Sequence, residues 1–336
     1  MNMIEAKYYK IIDDEKKVVQ CVLCPHSCLL KKDEVGKCKA RKNVDGKLYS
    51  LTYSVVSSVA LDPIEKKPLY HFYPGSYILS IGSYGCNFKC GFCQNWEISQ
   101  SSAEENYSEK ILPQQLLSIS KRYKENIGIS YTYNEPLINF EFVLETAELF
   151  HSQGLKNVLV TNGFIHKQPL LELLPYIDAA NIDLKSFNKD FYKKVCDGNL
   201  NFVLQTIEIM VAQKKHIELT TLVIPGYNDS EEEIKQIVDY VAFLSKEIPL
   251  HFSRYYPNYK FTAPPTSVEV LIKFYHLAKE KLNYVYLGNV WDKKYNSTYC
   301  PNCNELLILR IGYDIKIVGL ENNKCKYCGK EIKIIC

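Results

Sequence analysis

The 336-residue chain has no long apolar run. No stretch reaches about eighteen uninterrupted apolar residues, so no simple membrane-spanning helix is expected. Its start, MNMIEAKYYKIIDDEKK, carries early acidic residues and no apolar h-region, so a secretory signal is not read there. Charge of one sign is also lacking. The formal balance of +3 gives no argument for general nucleic-acid binding. A cytoplasmic location follows as the expectation, and in that reducing compartment stable disulfides are rare. What the chain has in excess is cysteine. There are thirteen, an odd number that cannot pair completely, in a composition otherwise ordinary for a globular protein at 46% apolar and 24% charged.

The cysteines fall into three clusters, with Cys196 and Cys336 alone and expected to be incidental. Cys21, Cys24, Cys28 and Cys38 lie near the start. Cys86, Cys90 and Cys93 sit in GCNFKCGFCQNW. Cys300, Cys303, Cys325 and Cys328 lie near the end. Three clusters in a reducing compartment read as metal chemistry.

Between about Ser76 and Val290 short apolar runs alternate with amphipathic stretches. The runs are YILSIG, IGISYTY, NVLVTN, DAANIDL, IELTTLVI, LHFSRYY and YVYLGNV. Between them, FEFVLETAELFHSQG places Phe140, Val143, Leu144, Ala147 and Phe150 on one helical face with Gly154 as a stop. SEEEIKQIVDYVAFLSKE offers Ser230 and Glu233 as a capping box. This alternation predicts an α/β fold: right-handed βαβ units forming a partial or full parallel (β/α) barrel. Residues 1–60 and 296–336 are read as small Cys-rich, metal-binding flanks around a barrel over 61–295. Every unusual sequence (GCNFKC, NEP, NGF, DLKSF, PGYND, RYYP, GNVW) follows a strand, and the C-terminal ends of barrel strands carry active sites.

The loop Cys86-x3-Cys90-x2-Cys93 supplies three soft thiolates. Zinc structural sites use four ligands, whereas a cubane held by three cysteines leaves one iron open to a small molecule. With C-x3-C-x2-C after the first barrel strand, the chain resembles the radical S-adenosylmethionine (SAM) enzymes. The resemblance implies a 4Fe-4S cluster on Cys86, Cys90 and Cys93. It also implies SAM bound at the open iron and reductive cleavage to a 5′-deoxyadenosyl radical that abstracts hydrogen. Phe92 would then touch the adenine. Glu135, in YTYNEP with Asn134, would take the methionine ammonium through a charge-assisted hydrogen bond. Thr161, Asp183 and Lys185 match in type the positions that hold a cation and a lysine in activating enzymes. Val160 replaces the aspartate usual there, and Thr220 stands where an activating-enzyme arginine would be. His251 and Arg254 are candidates for cofactor contact in its place.

The order CxLCPHxC, GCNFKCGFCQNW, TYNEP, TNGF, DLKSF, HFSRYYPNYK, GNV and CPNC…CxYCG resembles the AmmeMemoRadiSam system radical SAM enzymes, an activating-enzyme-like family. That resemblance implies AMMECR-type and MEMO-type partner proteins and a reductant such as flavodoxin or ferredoxin. Two other readings stay open: a glycyl-radical enzyme activase, and a non-catalytic zinc module that binds protein or nucleic acid. Extra ferredoxin cysteines would mark a long-form activase, and Gln94 to Asn126 has none.

The flanks read as metal sites. Cys300-x2-Cys303-x21-Cys325-x2-Cys328 is zinc-ribbon-like, without a basic stripe. It starts about ten residues after GNV, so it is expected to shape the substrate side of the barrel, and its removal to spare cofactor cleavage. Cys21-x2-Cys24-x3-Cys28-x9-Cys38 suits zinc or an auxiliary cluster alike. His26 within it is expected to be a solvated turn residue.

Overall fold

The computed structural model describes residues 3–106 and 109–336. Its centre is an eight-stranded sheet: β1 (Ser58–Pro63), β2 (Tyr77–Gly82), β3 (Asn126–Tyr131), β4 (Lys156–Thr161), β5 (Ala179–Asp183), β6 (His216–Val223), β7 (Leu250–Arg254) and β8 (Val285–Gly288). Spatial order follows chain order from β8 to β1. Strands β2 to β8 pair in parallel, and β1 is antiparallel to β2, with Ser58 opposite Gly82 and Pro63 opposite Tyr77. The two edges do not pair with each other, so the expected barrel is the partial one. Strand β1 begins a little before the expected boundary at residue 61.

The crossover helices include α1 (Pro113–Ser120), α2 (Phe140–Ser152), α3 (Lys167–Leu173), α4 (Lys189–Val195), α5 (Leu200–Ala212), α6 (Glu231–Leu244) and α7 (Val268–Lys279). In α2 the predicted apolar face is buried, and Gly154 just beyond it has φ +71. At α6 only half of the expected capping box forms. Ser230 accepts the Glu233 N–H. The Glu233 carboxylate turns away to accept from the Ser186 hydroxyl and, at 3.0 Å, from the Phe187 N–H. Tertiary contact has taken the side chain that a local cap would use, and it ties α6 to the DLKSF loop.

Between β1 and β2 the segment IEKKPLYHFYPG closes the N-terminal mouth of the barrel. Phe72 packs there with Ile64, Leu69, Ile78, Val158 and Ala179. The N-terminal region forms small antiparallel sheets from strands such as Tyr9–Asp13, Val18–Cys21 and Arg41–Val44. A buried ion pair fastens it to α2: Arg41 donates to both Glu141 carboxylate oxygens, at 2.7 and 2.9 Å.

The C-terminal region carries an antiparallel sheet of Thr298–Tyr299, Leu306–Ile311 and Asp314–Ile317. It forms one apolar cluster with Tyr286 of the last barrel strand, with Tyr284 just before that strand and with Tyr70. Arg310, 1% exposed, donates to the Tyr70 carbonyl at 2.6 Å and to Thr298 Oγ1 at 2.7 Å, with Glu65 Oε1 3.7 Å away. The ribbon therefore bridges the two unpaired sides of the barrel wall, through Tyr286 on one and Tyr70 and Glu65 on the other. The flank whose removal was expected to spare cofactor cleavage packs here as part of the barrel wall.

Candidate active site

A cavity of about 710 Å³ opens at the C-terminal ends of the strands. That volume suits a ligand larger than one small metabolite. Every residue proposed for the cluster or cofactor lines it except Arg254. The strand period explains the exception. Alternate residues face opposite sides of a strand, so His251 and Ser253 of β7 face the cavity while Phe252 and Arg254 face away. Arg254 donates to the Thr266 carbonyl at 2.8 Å and lies over the Tyr256 ring. Sequence reasoning paired His251 with Arg254, which does not line the cavity, and did not name Ser253, which does.

The cysteine loop leaves β2 through Gly85, whose φ is +84. A Cβ there would stand 2.2 Å from the Cys38 carbonyl oxygen, so only glycine fits this approach. Asn134 pins the loop and also borders the cavity. Its Oδ1 accepts from the Ser83 N–H at 3.0 Å, and its Nδ2 donates to the Gly85 carbonyl at 2.8 Å. The sulfurs have donors of their own. Cys86 Sγ accepts from the Phe88 N–H at 3.3 Å, and Cys93 Sγ lies 3.0 Å from the Ser99 hydroxyl. Such donors support thiolate ligands of an iron–sulfur cluster. Burial pushes the Cys86 and Cys93 thiols up, and in Cys90 the neighbouring Cys196 thiol pushes up more than burial does. Metal binding would displace those protons. Cys196, expected to be incidental, is thus fully buried against Cys90.

Glu135 is buried at the end of the β3 loop. Its Oε1 accepts from the Thr161 hydroxyl at 2.7 Å and the Leu137 N–H at 3.0 Å, and its Oε2 from the Asn162 N–H at 2.7 Å. Thr161 therefore orients Glu135. Burial pushes this carboxyl up to about 7, against those three hydrogen bonds. Lys185 Nζ lies 2.7 Å from Asp183 Oδ2 and 5.9 Å from the centre of the Phe92 ring. Burial would lower it, but Asp183, Cys90 and Cys196 hold it well above the ordinary lysine range. Phe92 is buried against Phe191 and Phe261 and still borders the cavity. Thr220 Oγ1 also borders the cavity, buried and without a partner among the described residues. An orphaned hydroxyl in a ligand-sized cavity fits a bound polar group.

His251 Nε2 sits 2.7 Å from Glu218 Oε2, and His216 Nε2 3.1 Å from Glu218 Oε1. Burial alone would raise Glu218, yet the two histidines hold it well below the carboxylate range. His251 is thus already engaged at the cavity wall. Lys67, which sequence reasoning missed, lines the same wall. It is 1% exposed, 2.6 Å from Asp62 Oδ2 and 4.7 Å from the centre of the Tyr133 ring. Burial lowers it to about 8 in spite of Asp62. Its one sequence signal is a charged Lys66–Lys67 pair in an otherwise aromatic segment.

At the C-terminus, Cys300 and Cys328 sulfurs lie 3.6 Å apart, as do those of Cys303 and Cys325. Ligand atoms of these four all fall within 4.8 Å of one another, and among the described residues no other His, Cys, Asp or Glu group does so. At the N-terminus, Cys21, Cys24 and Cys38 are buried, and burial pushes each thiol up, Cys38 to about 11. His26 is not a solvated turn residue. Its Nε2 lies 2.7 Å from the Asn87 carbonyl oxygen, and its ring packs on Phe164.

A model of the Radical SAM superfamily matches residues 80–241, from β2 into α6. The uncharacterized protein MJ0808 of Methanocaldococcus jannaschii is 45% identical over 338 residues, covering 99% of this chain and all of that protein. The chain belongs to the radical SAM superfamily. This radical SAM enzyme is also 27% identical, over 72% of its length and 68% of the relative, to the 4-hydroxyphenylacetate decarboxylase activating enzyme of Clostridium scatologenes. Among solved structures, Streptococcus suis SuiB resembles it in fold, with a TM-score of 0.50 at 16% identity, over 65% of this chain and 48% of that one. Cleavage of SAM at an iron–sulfur cluster is general to the superfamily, and Cys86, Cys90 and Cys93 border the cavity within the matched residues.

Proposed function

We propose that the chain is a radical SAM oxidoreductase that cleaves SAM reductively and abstracts hydrogen from a substrate held in the same cavity. The observation that carries this reading is the meeting of Cys86, Cys90 and Cys93 with Glu135, Asp183 and Lys185 around one ligand-sized space. A cluster on the three cysteines would supply the electron for C5′–S cleavage. Glu135 takes the methionine ammonium, held in place by Thr161 and Asn162. Phe92 offers its face to the adenine. The wall of Lys67, Tyr70 and Ser253 is left for the substrate. The ribbon cysteines hold zinc, since their sulfurs have the close spacing that one tetrahedral ion requires. The reductant is of flavodoxin or ferredoxin type. AMMECR-type and MEMO-type proteins are the partners that the sequence resemblance suggests, and a cytoplasmic setting suits thirteen free cysteines. Among the described residues no helix is long and apolar enough to cross a membrane.

A second reading, activation of a partner enzyme by glycyl-radical formation, is favoured by the likeness to the Clostridium scatologenes activating enzyme. Thr220, standing where an activating-enzyme arginine would be, weighs against it, and the cysteine-free stretch from Gln94 to Asn126 weighs against its long form.

The test is anaerobic reconstitution followed by reduction with SAM. 5′-Deoxyadenosine should form, and Cys86→Ala should abolish it while the helical circular dichroism stays. Wild-type iron content in Cys86→Ala would overturn the ligand assignment. A glycyl radical signal appearing on a co-encoded partner would select the second reading.

A further inference from the structure

Outside the cavity, the largest group of metal-binding side chains with no assigned work is Cys21, Cys24, Cys28 and Cys38. Two tight turns gather them. The Cys21 N–H donates to the Cys28 carbonyl at 2.9 Å, and between them the Ser27 N–H donates to the Cys24 carbonyl at 3.0 Å. Cys38 returns through a turn in which the Lys39 N–H donates to the Gly36 carbonyl at 2.8 Å. A Cβ built on Gly36 would lie 3.8 Å from Cys38 Sγ and 4.0 Å from Cys28 Sγ. Two sulfurs therefore flank this glycine directly.

Sulfur spacing discriminates between the metals. Four sulfurs on one zinc, each about 2.3 Å from the ion, stand about 3.8 Å from one another in a tetrahedron. The ribbon has that spacing, at 3.6 Å for two pairs. The N-terminal set does not: no three of its sulfurs lie within 4.8 Å of one another. The three cysteines of the active-site loop are spread in the same sense. In a 4Fe-4S cluster each cysteine holds a different iron corner, so the sulfurs stand further apart than around a single ion.

We propose that Cys21, Cys24, Cys28 and Cys38 hold a second iron–sulfur cluster, fully ligated by cysteine, which relays one electron to the active-site cluster. The relay half rests on the function proposed above, whereas the metal assignment stands without it. The two sites share a wall. The Cys38 carbonyl oxygen abuts Gly85, and His26 contacts the Asn87 carbonyl, so the N-terminal knot touches both neighbours of Cys86. The transfer is simple in its balance. A low-potential ferredoxin or flavodoxin is oxidised by one electron, the N-terminal site accepts and releases that electron, and the active-site cluster is reduced by it. No bond or proton is exchanged.

The experiment uses the full-length protein, reconstituted anaerobically, with iron, sulfide and zinc counted per chain. Wild type should hold about eight irons and about eight sulfides, with about one zinc. Cys24→Ser/Cys38→Ser should lose about half the iron and sulfide and keep its zinc. A Cys86→Ala/Cys90→Ala/Cys93→Ala variant should lose the other half. Each reduced variant should show one paramagnetic cluster species where wild type shows two. An N-terminal variant that keeps its iron and loses a zinc would overturn the proposal in favour of a zinc knot. Should that variant fail to fold, wild type decides alone: about four irons with about two zincs overturns the assignment. Failure of the active-site reading would show separately, as unchanged iron in the triple variant. For the relay, SAM cleavage driven by reduced flavodoxin is compared with cleavage driven by dithionite. The ratio should fall at least tenfold in Cys24→Ser/Cys38→Ser, and an unchanged ratio would overturn the relay.

Discussion

Glu135 shows how one residue links burial to ligand binding. Its carboxyl stands at about 7, above an ordinary 4.5, because burial penalises the charge more than its three hydrogen bonds favour it. In the empty protein this costs stability as pH rises from 4.5 toward 7, since the unfolded chain gives up that proton first. An ammonium beside Glu135 would reverse the penalty. SAM affinity should therefore rise as pH is raised through about 7, measured below the range near about 7.7–8 where an α-amino group loses its own proton. Glu135→Gln should flatten this dependence. At neutral pH it should weaken binding by about one to two orders of magnitude, the equivalent of about 1.5–3 kcal/mol for a charge-assisted hydrogen bond. Anaerobic calorimetry across that range checks both, and a pH-dependent Gln variant would remove Glu135 from the assignment.

Cys196 is a second residue whose neighbours give it a role. Once Cys90 is a thiolate ligand, the buried Cys196 thiol beside it is the group that could donate to its sulfur. Hydrogen bonds to cluster sulfurs raise the reduction potential by easing the added negative charge. Cys196→Ala should keep full iron content and make the active-site cluster harder to reduce. The expected shift is somewhat below about 59 mV, the tenfold mark for one electron, since a typical hydrogen bond contributes about 1 kcal/mol. Potentiometric titration followed by electron paramagnetic resonance reads it, and loss of iron would instead make Cys196 a structural support.

At the scale of elements, the ribbon is the clearest case of packing overriding an expectation. Its strand Leu306–Ile311 carries Arg310 into the gap between the barrel edges, where the pair with Glu65 is 0% and 2% exposed. Among the described residues Arg310 Nε and Glu65 Oε2 have no hydrogen-bond partner, so the pair depends on mutual attraction. Removing one member leaves a buried charge unpaired, which costs about 3–5 kcal/mol. Arg310→Met should lower stability to urea by about that amount, and adding Glu65→Gln should recover part of it. Cys300→Ser/Cys325→Ser should destabilise the barrel along with the ribbon, in one transition, and lose about one zinc. A barrel that unfolds unchanged in that variant would show that the ribbon is separable after all.

For the molecule as a whole, the local patterns were legible and the partnerships were not. Apolar runs at strand spacing, amphipathic stretches and turn residues gave the seven parallel strands, because each signal lies within a few neighbouring residues. That the C-x3-C-x2-C loop, Glu135 and the Asp183–Lys185 pair border one cavity could be read because they follow strands, and strand ends converge in a βα array whatever the details. Strand β1 was missed: it is antiparallel and pairs through β2, and no helix precedes it. Lys67 was missed because a plug at the barrel mouth has no period to betray it. The side of β7 that faces the cavity depends on register, which is set by pairing with β6 and not by the sequence LHFSRYY itself. The sequence by itself determined the kind of chemistry, since thiolate number and spacing restrict the metals a loop can hold. Tertiary structure alone decided that Arg254 faces away, that Cys196 meets Cys90 and that the ribbon is part of the wall. It also decided that the N-terminal cysteines stand beside Gly85 and Asn87. Each of these is a contact between residues far apart in the chain, fixed by how buried charges and close backbone approaches are satisfied together.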